Sequence, residues 1–301
     1  MGELTAAAAV LAGALALGAS VSVLDAVVQR GTGAFTDPAR SALRLLLTQR
    51  RTTLRPDALL RTTGAVAVPV LAVLAAAVVP VAGWSLVSTS ADLVWFNAAE
   101  ALLWAAVWLV GWGPNALHSL VGAYRFLAQA LAYELPLMFA LITAGVAAGS
   151  LRTVDVVSAQ QDLWFVVTMP VAFLVFLACT AAFAFWGPFA PPAGADLAGG
   201  VLSELAGAER LLVQAGRYVF LGVSCAMAAA LFLGGGHGPW LPDAVWQLVK
   251  TLALVAGLVL VGRRVPAIRP DRFVEVAWTV LVPATVLQAL VVSVLALVEA
   301  S

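Results

Sequence analysis

About eight apolar runs, each near twenty residues or longer and poor in charge, constrain this chain more than any motif in it. A helix needs about twenty apolar residues to cross the ~30 Å hydrocarbon core of a bilayer, and its backbone groups must be satisfied within the segment. The runs fall at about 4–28, 63–87, 92–112, 117–149, 163–186, 209–233, 241–261 and 273–298. Only 11% of the residues are charged, against about 25% in a soluble domain, so most of the surface does not face water. The expected architecture is an all-α integral membrane protein. A single polytopic domain covers 1–301, with about eight transmembrane helices and a short amphipathic surface helix after the first.

The charges give an orientation. Arg30, Arg40, Arg44, Arg50, Arg51, Arg55 and Arg61 lie between the first and second runs, and Arg263, Arg264, Arg269 and Arg272 between the last two. The connections on the opposite face carry only Arg152. By the positive-inside rule the arginine-rich segments are cytoplasmic and both termini lie outside. Thr36, Asp37 and Pro38 read as a helix start, with a cap candidate ahead of a first-turn proline. Ala39, Ala42, Leu43, Leu46 and Leu47 then fall on one side, as in a helix lying along the membrane surface. Arginines that simply set topology would look the same.

Several classes of chemistry are excluded or weakened. Formal net charge is zero, so nothing marks a nucleic-acid surface. The two cysteines, Cys179 and Cys225, and the two histidines, His118 and His237, lack metal-ligand spacing. An iron–sulfur cluster held by this chain would need about four ligands, mostly cysteine. Any electron carriers therefore belong to other subunits. A self-contained transporter built on inverted repeats is disfavoured, because the two halves show no internal repeat.

The most informative segment is 122–136, GAYRFLAQALAYELP. Arg125, Gln129 and Tyr133 are spaced four apart and stack along one helix stripe, with Glu134 beside it. Pro136 biases Leu135 away from helical geometry, which predicts a kink or break near Glu134. An acid at the bilayer centre costs about 2.5–3.5 kcal/mol on insertion scales, so Glu134 is expected to face protein or water. The same residues also suit a helix end at the membrane surface. Glu100, in the middle of another run, raises the same question, and an interhelical hydrogen bond is its simpler explanation.

Taken in order, these segments resemble the H-type membrane subunit (subunit 1) of respiratory complex I, which lines the quinone chamber. They also resemble its relatives in group 4 membrane-bound hydrogenases and formate hydrogenlyases. The resemblance rests on Gly111-Trp112, the 122–136 run, Pro188-Phe189, Glu204-Leu205-Ala206-Gly207, FLGGGHGP at 232–239, Lys250, RRVPAIRPDRF at 263–273, and Trp278 with Pro283. LVGAYRFLAQ, VSAQQDLW and FLGGGHGP read more like the complex I branch.

The resemblance implies a bacterial plasma-membrane protein that binds no cofactor itself. It would help form the quinone site of an NADH-quinone oxidoreductase-type translocase. Its implied partners are iron–sulfur quinone-module subunits on the cytoplasmic side, small membrane subunits and antiporter-like subunits. Glu134, Asp196 and Glu204 match acids on the family's proton path, and Glu100 is a candidate addition. Carboxylates in a low-dielectric site bind and release protons nearer neutral pH than exposed ones. Arg125, Gln129, Tyr133, Arg40 and Arg44 would belong to the quinone chamber or its support. Arg263, Arg264, Arg269, Asp271 and Arg272 would dock a soluble partner. The alternatives are a hydrogenase-type anchor, a paralogue with weakened coupling, or a stand-alone ion transporter.

Departures from the family pattern bear on that choice. Ala190 follows Pro-Phe where an aspartate is usual, and Ala193, Gly194, Ala195 and Gly199 stand in place of further loop acids. Arg217 replaces a glutamate, Thr279 a lysine, and Gln49-Arg50 a lysine-glutamate pair. If Arg217 pairs with Glu134, Asp196 or Glu204, it would hold that acid ionised.

Overall fold

The computed structural model describes residues 2–49 and 52–300, so Arg50 and Arg51 lie outside the described residues. It is a helical bundle, with no strand among the described residues beyond an isolated bridge between Val81 and Trp84. In chain order the helices are α1 (Gly2–Arg30), α2 (Asp37–Leu47), α3 (Ala58–Ala76), α4 (Asp92–Trp112), α5 (Leu117–Ala148) and α6 (Thr153–Ser158). There follow α7 (Phe165–Thr168), α8 (Pro170–Phe183), α9 (Gly207–Phe232), α10 (Asp243–Arg264), α11 (Pro270–Val276) and α12 (Val282–Ala300), with a π-helical turn at Ala277–Leu281 between the last two. Among the described residues, seven segments are long and apolar enough to cross a membrane; α11 and α12 together form the seventh.

Three expectations change. The run at 163–186 is not one helix. Pro170 excludes helical geometry at Met169 (φ −135°, ψ 59°), which splits the run into α7 and the 14-residue α8. At 1.5 Å per residue α8 alone rises ~21 Å, and α7 with the non-helical residues at either end completes the passage from Gln160, beside Ala230, to Phe189, beside Gln129. The run at 63–87 ends as helix at Ala76, because Pro80 and the turn at Val81–Trp84 take the chain back toward α4. Conversely, α5 continues without a break through Pro136 for 32 residues. Proline removes one intrahelical donor. Here Ala132, Tyr133, Pro136 and Leu137 are all buried, and packing against neighbours holds the helix.

α9 is the central helix. It packs against α1, α2, α3, α8 and α10, and from Val219 to Phe232 every residue is buried. Where α1 crosses α9 the backbones nearly touch. A Cβ on Gly222 would lie 3.0 Å from the Leu17 Cβ, and one on Gly18 would lie 3.0 Å from the Val219 backbone nitrogen. A larger residue at either position would push the two helices apart.

α2 starts at Asp37 with Pro38 in its first turn, but the Thr36 side chain makes no cap bond. Its Ala42 and Leu45 turn partly inward, while Leu43, Leu46 and Leu47 are exposed. At the opposite end of the bundle the polar groups are closely satisfied. Asp92 accepts from Thr89 and from the backbone and hydroxyl of Thr153. Gln160 ties α6, α7 and the end of α9 together. The Lys250 ammonium donates to the carbonyls of Leu233 (2.6 Å), Gly235 (2.9 Å) and His237 (2.7 Å), and sits 4.1 Å from the Trp164 ring centre.

Candidate functional site

The stripe on α5 splits into two jobs. Near the arginine-rich end, Arg125 donates to the Pro191 carbonyl (3.2 Å) and pairs with Asp196 (2.6 Å). One turn on, the Gln129 amide donates to Ala182 O (2.7 Å) and Phe189 O (3.2 Å). These two side chains hold the 187–207 loop, a chain of 3₁₀ turns rich in proline and glycine, against the start of α5. Asp196 is 58% exposed, so it is a surface partner of Arg125 and not a buried acid. Glu204 is half-buried.

Deeper in the bundle, the stripe meets α4. Glu100 is completely buried, and its carboxyl lies beside the Tyr133 hydroxyl and the Glu134 carboxyl. Asn97 donates to Glu134 Oε1 (3.2 Å), and its spacing from Glu100 puts both on one face of α4. Neither oxygen of Glu100, nor the Tyr133 hydroxyl, nor Glu134 Oε2 makes a hydrogen bond of good geometry. Among the described residues no basic side chain pairs with Glu100 or Glu134. Two carboxyls and a phenol thus meet between α4, α5 and α8 without a counter-ion, Glu100 and Tyr133 fully buried and Glu134 half-buried. Such a constellation is costly to bury, and that makes it a candidate functional site.

Arg217 does not neutralise any of these acids. Its guanidinium donates to Ala184 O (3.0 Å) and Phe185 O (2.7 Å) at the C-terminal end of α8, and it stacks over the Phe185 ring at 5.1 Å. A cation at a helix C-terminus meets orphan carbonyls and the negative end of the helix dipole.

At the arginine-rich end a cavity of about 480 Å³ lies between α1, α2 and α9. Its walls mix apolar groups such as Leu15, Ala42 and Val219 with polar ones such as Asp25, Gln29 and Gln214. Arg40 and Arg44 are exposed on α2, outside this cavity, and Arg40 sits 3.7 Å from Asp37. Arg263 pairs with Asp25 on α1 and still leaves 41% of its side chain exposed. Arg264, Arg269, Asp271 and Arg272 stay exposed; Arg269 meets Asp271 at 3.3 Å and Arg272 meets Glu275 at 2.8 Å. This basic loop packs on the 187–207 loop through Ile268 N to Pro188 O (2.8 Å) and the edge-to-face pair of Phe189 and Phe273.

One buried pair was missed by sequence reasoning. Arg61 at the start of α3 meets Glu209 at the start of α9 at 2.9 Å, and both side chains are buried. Thr62 adds a hydrogen bond to Glu209 at 3.0 Å. The partners are 148 residues apart, and nothing local in the sequence signals them.

Comparison with known proteins adds a family to this geometry. The family pattern described as NADH dehydrogenase matches residues 26–293. The chain is 38% identical over 200 residues to the H-type NADH-quinone oxidoreductase subunit numbered 1 of Geobacter metallireducens, covering 66% of this chain and 61% of that protein. It is 38% identical over 200 residues to the corresponding subunit numbered 2 of Geobacter sulfurreducens, again 66% and 61%. Against the H-type NADH-quinone oxidoreductase subunit of Geobacillus kaustophilus it is 36% identical over 196 residues, 64% of this chain and 59% of the relative. The matched part therefore spans about three fifths of the length of these relatives.

Proposed function

The chain belongs to the NADH dehydrogenase family as a divergent H-type membrane subunit, and from that premise we propose that it serves a quinone-reducing assembly, helping to form the quinone site and coupling it to proton movement. The observation that carries the coupling half is the uncompensated pair of Glu100 and Glu134 beside Tyr133. A buried acid and a half-buried one side by side without a cation can share or pass a proton, and their balance responds to a charge change nearby. Asp196 is assigned to holding Arg125 and the loop, not to carrying protons. Arg217 is a cap for α8, so no proton step runs through that position.

The quinone half is supported by the cavity between α1, α2 and α9. An apolar wall with a few polar groups suits a molecule with a polar ring and a hydrocarbon tail. The redox centres belong to iron–sulfur subunits, which would dock on the arginine-rich end around Arg264, Arg269, Asp271 and Arg272. Antiporter-like and smaller membrane subunits would take up lipid-facing helix surfaces. In this orientation the arginine-rich segments are cytoplasmic and both termini lie outside.

Cavity filling tests the quinone half. Ala42→Trp places a large ring into the cavity from α2. In the purified assembly it is expected to raise the apparent KM for quinone while subunit composition stays the same. An unchanged KM with the ring in place would remove this cavity from the quinone route. The loss of loop acids at Ala190, Ala193 and Ala195 favours one further reading, in which the assembly reduces quinone but moves fewer protons. Proton uptake per quinone reduced, measured in proteoliposomes, separates the two readings.

A further inference from the structure

A second cavity, of about 640 Å³, lies in the other half of the bundle. α1 forms one wall and α10 the facing one, with the end of α3, the Val81–Trp84 turn and Val223 and Ala226 of α9 behind. Along α1 its lining runs from Ala9 to Ser20 and that of the cavity under α2 from Leu15 to Arg30, so where they overlap the two lie on different faces of the helix. The two differ in chemistry. The wall of the cavity under α2 carries charged side chains, Asp25, Arg30 and Asp37. The wall of this one carries none, and its hydroxyls are turned back on their own helices: Ser20 donates to Leu17 O (2.7 Å) and Thr251 to Gln247 O (2.7 Å). Gln247 donates to Ala226 O (2.9 Å) and leaves its Oε1 as a single acceptor without a partner, where a bound water needs two or more. Such a wall offers too few free polar partners to hold water.

The cavity is half open at the side of the bundle, and left unfilled a recess of this size forfeits dispersion contacts along its lining. α1 borders it with Ala9, Gly13, Ala14 and Ala16, and a Cβ on Gly13 would meet nothing within 4 Å. Residues of α1 and α10 beside the cavity, Leu11, Leu15, Val245 and Val249, are exposed apolar side chains on membrane-spanning segments. The cavity is therefore continuous in character with the hydrocarbon that surrounds these helices. We propose that it is a structural lipid site, filled by one acyl chain of a phospholipid from the leaflet opposite the arginine-rich segments. Each buried CH₂ adds to binding, so the chain is held by its length and not by its head group. Trp84, half-exposed on the turn at the membrane end of the cavity, suits the boundary between acyl chain and head group. The site then serves to fill the space between α1 and α10 beside α9.

Photolabelling the intact assembly tests this. It is reconstituted in vesicles of phosphatidylethanolamine and phosphatidylglycerol doped with a phosphatidylethanolamine bearing a mid-chain diazirine. After irradiation, labelled residues are mapped by mass spectrometry. Label concentrated on inward positions of both α1 and α10, around Ala14, Leu17, Thr251 and Leu252, is the expected result. Gly13→Leu combined with Ala14→Leu should abolish it and lower the number of co-purifying phospholipids by one, whereas Ala42→Trp in the other cavity should not. Label confined to outward positions such as Leu11, Val245 and Val249 overturns the proposal, since that is ordinary bilayer contact. Quinone recovered from the site in place of phospholipid, or a partner helix crosslinked into it, overturns it too. The wild-type map decides the matter even if the double variant fails to assemble.

Discussion

Two buried charge clusters in the same bundle are built in opposite ways. Arg61 and Glu209 are paired at 2.9 Å, supported by Thr62, and join the start of α3 to the start of α9. Glu100 and Glu134 meet each other and Tyr133 between α4 and α5 without a cation, and most of their oxygens lack a partner of good geometry. The first arrangement neutralises its own charge and needs no further purpose than joining helices. The second leaves that cost uncompensated within the chain. The contrast teaches that burial alone does not single out a candidate functional acid; burial without a counter-ion does.

If the contrast is right, the paired cluster is the stability-critical one. Glu209→Ala leaves Arg61 buried alone and is expected to cost about 3–5 kcal/mol. Thermal unfolding of the detergent-solubilised protein should show a large drop in Tm. Arg61→Met with Glu209→Leu, which removes both charges, should recover most of it. A single variant as stable as wild type would erase the distinction between the clusters.

Lys250 sharpens the comparison as a second satisfied charge. Lys250→Met removes three donated hydrogen bonds to the 233–237 segment, with an expected loss of about 1.5–3 kcal/mol. The cost should appear as faster proteolysis or hydrogen exchange at the 233–239 loop, with the arginine-rich end unaffected. Protection left at wild-type levels would show that the carbonyls find other partners.

Asp196→Asn should do least. Its pair with Arg125 is half in solvent, and exposed pairs contribute about 0–1 kcal/mol. Tm is expected to stay close to wild type, and proton uptake with it. A loss of proton uptake in this variant would return Asp196 to the proton path.

Much of the architecture was legible from run length alone. The helix expected at 92–112 is α4, and the all-helical membrane fold follows from the paucity of charge. The roles of Arg125 and Gln129 were half legible: their spacing placed them on one stripe, but the loop carbonyls they hold lie more than fifty residues away. The break at Met169 had a signal in Pro170 that the high hydropathy of 163–186 masked. Pro136 gave the same signal and was overridden, because α5 is packed around it. Glu100 stood out as a charge in an apolar run, yet only the packing of α4 on α5 brings it to Glu134. The pairs Arg61–Glu209 and Asp25–Arg263 close over 148 and 238 residues, and pairs so distant leave no pattern in a single sequence. The cavities are likewise properties of packing, set by where α1 leaves α9.

The measurement that bears most directly on the central claim is proton uptake by the assembled complex in proteoliposomes with Glu134→Gln. Glutamine keeps the shape and can still bond Asn97, so subunit composition should hold and stability should move by less than about 1 kcal/mol. The account predicts that proton uptake per quinone reduced falls sharply while the complex stays whole. Unchanged uptake would contradict it and leave Glu100 and Glu134 as a packing feature of α4 and α5.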